Sequence, residues 1–136
     1  MSATWEHVRA HVRARFKLAF DQPTWSGLRW RIGAAQVDQR IELTDAFGEP
    51  WLQVVTDVVD EQGVREHQAL RENMSVPIGA LAIEQGRYKL RYQLPLDDVD
   101  TAVLDRWMER LADVAARLRR TLLPPPAAAT FTHYAD

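Results

Sequence analysis

The stretch that decides the fold is LRENMSVPIGALAIEQGRYKLRYQLPLDD, which runs from Leu70 to Asp98. It predicts the end of a helix, two strands joined by a tight turn at Gln85-Gly86, and the start of another helix. In the second strand the apolar side chains alternate with polar ones, as in a strand with one buried face. They are Tyr88, Leu90, Tyr92 and Leu94. The stretch has no Cys, His or serine-centred motif, so we expect it to form scaffold.

One helix and three strands precede this stretch. Apolar residues spaced by three and four predict a helix from about Thr4 to Ala19. Alternating segments at 28–32 and 37–43 predict strands with one buried face. The third strand, at 51–59, is apolar on both faces, because Trp51 and Val55 lie opposite its other apolar residues. We therefore expect both of its faces to be covered, by the chain itself or by a partner.

Helical patterns also flank the hairpin on both sides. Residues 64–74 have helical spacing, and Pro77 stops that helix. Three aspartates at 97, 98 and 100 are candidate caps for a long last helix, on whose apolar stripe Trp107 is expected to be buried. The order helix, three strands, helix, two strands, helix predicts an α+β domain with an antiparallel sheet flanked by helices. We expect one domain at 1–123 and a mobile, Pro/Ala-rich tail at 124–136.

Composition excludes several classes of function. The 136 residues carry a net charge of −2, which is too balanced to indicate a nucleic-acid or membrane partner. There is no cysteine, which excludes disulfides, thiolate catalysis and Cys-type zinc sites. No apolar run is long enough to span a membrane, and the N-terminal segment is charged where a signal peptide would be apolar. We expect a cytoplasmic protein.

Candidate chemical groups are few, and each has a simpler explanation. His7 and His11 are spaced to share a metal, but no third ligand is near in sequence, so two solvated side chains are expected. The three aspartates suit helix capping, and no glycine-rich phosphate loop is present. We therefore expect no catalytic residue, no metal and no cofactor. A small enzyme of unknown reaction remains the less favoured alternative.

Two sets of basic residues lie on strand faces opposite the aromatic side chains. The sets are Arg29 and Arg31, and Arg87, Lys89 and Arg91. Nucleic-acid binding would need aromatic rings on the same face as the charges. A solvated outer face is therefore expected, with binding of an acidic peptide as the next alternative.

The stretch 70–122 resembles the class I type III secretion chaperones and their relatives, including the YbjN-like proteins. The similarity lies in LREN at a helix end, the small-residue strand PIGALAI, the hairpin GRYKLRYQLPL and the acidic cap DDVD before a long helix. Asn73 stands where the family often has an Asn at the end of its second helix.

This resemblance implies a homodimer that binds an extended segment of a client or effector protein, without nucleotide or metal. A regulatory adaptor of the YbjN-like kind, unrelated to secretion, is the alternative. Trp25 and Trp51 lie outside the apolar stripes, and Trp51 and Val55 form the second apolar face of the third strand. These three residues are therefore predicted to contact the client. The modest apolar face of the second helix suggests a dimer interface. Its residues are Val64, Leu70, Met74 and Ile78.

Overall fold

The computed structural model describes residues 3–123, so the predicted tail lies outside the described residues. The helices are α1 (Trp5–Arg15), α2 (Glu66–Asn73) and α3 (Thr101–Leu122), with a 3-10 turn at Leu96–Asp98. The strands are β1 (Phe20–Gln22), β2 (Trp25–Ile32), β3 (Ala35–Ala46), β4 (Glu49–Asp60), β5 (Ala80–Glu84) and β6 (Arg87–Pro95). The predicted α+β class is therefore confirmed.

All six strands form one antiparallel sheet in the order β1-β2-β3-β4-β6-β5. The β5–β6 hairpin joins the sheet through β6, which pairs with β4, so β5 forms one edge of the sheet. One strand, β1, was not predicted from the sequence. Phe20 pairs with Gly27 there, and the Ala19 N–H donates to the Gly27 carbonyl. These ladder contacts explain why α1 ends at Arg15, four residues before the predicted end.

The hydrophobic core lies between one face of the sheet and the helices, and we call this the helix face. The alternating apolar residues of the strands meet the stripe of α3 and the buried side of α1. The most completely buried large side chains there include Ile41, Leu52, Leu90, Met108 and Leu111. Trp107 was wrongly predicted to be buried. It is 38% exposed at the margin of the core, where its ring stacks on Tyr92 at 6.2 Å between centroids.

A buried glutamine joins three strands and α3 within this core. The side-chain amide of Gln39 donates to the Thr56 hydroxyl at 3.0 Å and to the Met108 carbonyl at 2.9 Å. Its carbonyl oxygen accepts from the Trp30 indole N–H at 2.9 Å. Because each polar group of the Gln39 side chain has a partner, the cost of burying it is offset.

Asn73 ties the end of α2 to the edge of the sheet. Its side-chain oxygen accepts from the Leu81 N–H at 2.6 Å, and its amide donates to the Leu81 carbonyl at 3.3 Å. A side chain thus satisfies both backbone groups that Leu81 turns away from β6.

Within residues 3–123, no helix is both long enough and apolar enough to cross a lipid bilayer.

Candidate protein-binding surface

The face of the sheet opposite the helices, which we call the outer face, is not covered by any described element. Strand register places Phe20, Gly27, Arg40, Val55, Arg91 and Ala80 in one row across the six strands. Side chains on either side of this row enclose a cleft of about 700 Å³. Its lining combines aromatic rings at one end, charged groups along the middle and a valine floor.

Aromatic rings at one end of the cleft lie over a glycine. Phe20 and Trp25 are 5.9 Å apart between ring centroids, and we call this pair the aromatic platform. A Cβ added to Gly27 would come within 3.2 Å of the Phe20 ring and 3.3 Å of the Trp25 ring. The absence of a side chain at Gly27 therefore allows both rings to lie close to the sheet. The Arg29 guanidinium sits 5.7 Å above the Phe20 ring, within cation–π range.

Ion pairs cross the middle of the cleft. Arg40 of β3 reaches Glu84 of β5 over the two strands between them, with Nη2 and Oε2 3.1 Å apart. Lys89 contacts the same carboxylate at 3.0 Å. The hydrogen bonds from Lys89 and then Arg40 lower the pKa of Glu84 below its ordinary value. The Glu84 carboxylate is therefore stabilised in its charged form at neutral pH.

A second ion pair closes the end of the cleft away from Trp51. The Arg87 guanidinium binds the Asp57 carboxylate with two bonds of 2.6 and 2.8 Å. This bond to Asp57 raises the pKa of Arg87 further above its ordinary value. Two parallel bonds fix both side chains in one geometry.

Val55, a predicted client contact, is almost completely buried within the subunit. Its exposure is 5%, because Arg40 and Arg91 flank it in the row and the Arg40–Glu84 pair passes above it. The aliphatic stems of long charged side chains can cover apolar surface in this way. The chain itself thus covers the second apolar face of β4, and Val55 forms the floor of the cleft.

Trp25 and Trp51 both lie on the outer face and are half-buried. Trp25 belongs to the aromatic platform. Trp51 is nearer the β3–β4 hairpin, where its indole N–H donates to the Ala46 carbonyl at 3.2 Å. The structure thus places all three predicted client contacts on one face of the sheet, although it does not gather them into one exposed patch.

The β3–β4 turn carries an aromatic residue that the sequence analysis did not single out. Phe47 is 97% exposed and has a φ of 53°, with Gly48 following at 77°. Two successive positive φ values are typical of a type I′ hairpin, in which Asn is the favoured first residue. The AFG sequence predicts a turn, but nothing in it predicts that the ring is left in solvent.

The predicted dimer residues divide into two groups. Leu70 of α2 and Met74, just after its end, are strongly exposed, whereas Val64 and Ile78 pack against the monomer's own core. Ile83 of β5, which the sequence analysis missed, is also exposed on this side. A groove of about 350 Å³ runs between α2 and β5. We call this region the α2–β5 surface.

The histidines of the described part of the chain do not assemble a metal site. His11 bonds to Asp105 of α3 at 2.9 Å, and Arg15 contacts the same carboxylate at 2.9 Å. His11 is thus part of a contact between two helices and is not solvated as expected. Nowhere in residues 3–123 do three potential metal ligands cluster. Of the three candidate aspartate caps, Asp100 caps α3 by accepting from the Ala102 N–H at 2.9 Å.

Comparison with solved structures defines the class of fold: it is that of the type III secretion chaperones. The chain is similar to a chain of the "ExsC-ExsE Complex", with a TM-score of 0.66, 15% identity, and coverage of 90% of this chain and 98% of that one. It is also similar to a chain of the "HopA1-SchA Chaperone-Effector Complex", with a TM-score of 0.59 and 14% identity. That match covers 83% of this chain and 90% of the other. No protein-family model matches the sequence, and neither does any curated protein.

Proposed function

We propose that this protein is a non-catalytic, chaperone-like binding module of the cytoplasm that holds an extended segment of a client protein. The observation that carries the proposal is the concave, uncovered outer face, where half-buried aromatic rings lie beside charged groups. Its fold is also that of chains from two solved complexes, one of which is named as a chaperone-effector complex. Secretion chaperones and regulatory adaptors would use the same surface, and the identity of the client distinguishes them.

Client contacts are proposed at Trp25, Trp51 and Val55. Trp25 and Trp51 supply large, partly exposed indole surfaces of the kind that dominates binding energy at interfaces. Val55 contributes as the floor on which client side chains rest once the charged side chains above it move aside. Binding therefore exchanges polar cover for apolar contact at the centre of the sheet.

The α2–β5 surface is proposed to form a homodimer. Leu70, Met74 and Ile83 place exposed apolar side chains on one side of the subunit. Val64 and Ile78 support this surface from within the monomer core. A two-fold interface must be self-complementary, and a short helix beside an edge strand can pair with its own copy.

Client binding is tested by affinity purification from the native host, followed by mass spectrometry and co-expression with the dominant co-purifying polypeptide. Replacing Trp51 by Ala is expected to weaken that complex by about 2 kcal/mol or more, as measured by calorimetry. Trp107→Ala is the matched control, because Trp107 lies on the helix side and is also partly exposed. Equal client affinity for both folded variants would remove Trp51 from the site.

The dimer is tested by size-exclusion chromatography with light scattering. We expect the mass of two chains at micromolar concentration, and of one chain for Leu70→Asp. Phe47→Asp serves as the control, because it adds the same charge at another exposed apolar residue. A wild-type monomer at this concentration would contradict the proposed interface without affecting the client site.

A further inference from the structure

Two arginines of the outer face are left out of its ion pairs. Each carboxylate at the centre of this face has a cation within ion-pair distance. The pairs are Arg29–Asp38, Arg40–Glu42, Arg40–Glu84, Lys89–Glu84 and Arg87–Asp57, and Arg87 also contacts Asp60 at the end of β4. Two further arginines on the same face, Arg31 and Arg91, have no carboxylate partner among residues 3–123. Ion pairing on this face therefore leaves two arginines over.

Arg91 is the better placed of the two for a partner in the cleft, because it lines a smaller pocket that adjoins the cleft at Val55, Glu84 and Lys89. Its side chain is exposed, and its Nε donates to the neutral oxygen of Gln53 at 2.7 Å. That bond orients the guanidinium beside Val55 without neutralising it. The planar fork of an arginine also binds a carboxylate with two parallel bonds.

The aromatic platform is the complementary apolar feature. Phe20 is 51% exposed, although its ring already contacts Trp25 and the Arg29 guanidinium. The two rings, tilted by 41° to each other, offer an open apolar surface that a bulky apolar side chain would cover. Gly27, in the same row as Arg91, lies three strands away from it, or about 14 Å at ordinary strand spacing.

We propose that the cleft selects an acidic client segment. One bulky apolar side chain covers the aromatic platform, and a carboxylate about four residues away binds Arg91, since an extended chain advances about 3.4 Å per residue. This inference rests on the proposed function and adds the chemistry of the segment that is bound.

The probe is a library of random twelve-residue peptides displayed on phage and selected on the full-length protein. We expect the selected sequences to be rich in Asp and Glu, with one aromatic or large aliphatic residue about four positions from an acidic one. A synthetic peptide of the consensus sequence is then measured by fluorescence anisotropy.

Variants of the protein test the two halves of the site separately. Phe20→Ala is expected to weaken binding of the consensus peptide about 30-fold, as for an interface anchor. Arg91→Gln is expected to weaken it about fivefold and to flatten its dependence on salt, because that dependence reports charge attraction. The controls are Phe47→Ala and Arg110→Gln, which change an exposed ring and an exposed arginine outside the cleft. Both controls should bind like the wild type.

Selection of basic or neutral peptides, or equal binding by Arg91→Gln and Arg110→Gln, would overturn the acidic preference. Peptides that depend on Leu70 and not on Phe20 would overturn the location, while leaving the protein a peptide binder. Failure to select any sequence would overturn the inference as a whole. The proposed function is judged separately, by whether a dominant client co-purifies.

Discussion

Apolar side chains are buried on both faces of the sheet, but different groups cover them. On the helix face, apolar side chains are covered by α1 and α3. Gln39 lies at the centre of this face, and each polar group of its side chain has a hydrogen-bond partner. On the outer face, Val55 is nearly as well buried, but its cover is made of charged side chains that span the strands. The helix cover is fixed by the chain, whereas a cover of ion pairs can rearrange. The comparison teaches that depth of burial alone does not tell whether a residue is covered by helices or by the side chains of neighbouring strands.

The largest expected contrast concerns two glutamines on opposite faces. Gln39→Ala should lower the free energy of unfolding by about 3 kcal/mol, because it leaves buried polar partners without bonds. Gln53→Ala should cost about 1 kcal/mol, because water can reach its partners Arg91 and Gln93. Urea denaturation of both variants measures this difference. Similar losses would mean that the outer face is as closed to water as the core.

Adjacent valines of β4 provide the next contrast. Val54→Ala, on the helix face, should lower the free energy of unfolding by about 2 kcal/mol, because fixed helices leave a cavity. Val55→Ala should cost about 1 kcal/mol, because flexible side chains collapse into the space. Thermal and urea unfolding of the pair check this expectation. A larger loss at Val55 would show that its polar cover is rigid.

The ion pairs of the outer face predict a pH dependence. The pKa of Glu84 is lowered by its bonds to Lys89 and Arg40, so its contribution to stability is present above the ordinary value of about 4.5 and is lost as the pH falls through the lower folded value. Glu84→Gln should cost up to about 1 kcal/mol at pH 7, as for a partly exposed ion pair. Below pH 4.5 the difference from the wild type should shrink. A difference that stays constant from pH 7 to pH 3 would contradict this role for the charge.

The smallest expected effect is a gain in stability at the hairpin tip. Phe47→Asn should raise the free energy of unfolding by about 0.5 kcal/mol, because Asn tolerates a positive φ better than Phe. Removal of the exposed ring loses no buried apolar surface. Thermal unfolding measures the gain. The affinity for the acidic consensus peptide should stay the same, which would separate the turn from the cleft. A loss of stability would mean that the ring makes a contact that its exposure does not reveal.

Alternation along each strand was sufficient to predict which residues share a face. The opposite placement of Tyr88 and Lys89 followed from the period of two, and the α+β class followed from the order of the elements. The cover over Val55 could not be predicted in this way, because Arg40 and Glu84 are 44 residues apart and meet only once the strand order is known. β1 was missed because three residues are too few to show a period.

Asn73 has a consequence for how far the sheet can grow. The Asn73 side chain bonds to both free backbone groups of Leu81, so these groups cannot form hydrogen bonds with a seventh strand. β5 has only five residues, so a strand arriving from outside would find at most one unoccupied rung, at Ile83. A single side chain therefore protects this edge against runaway polymerisation, and neighbours are restricted to side-chain contacts there.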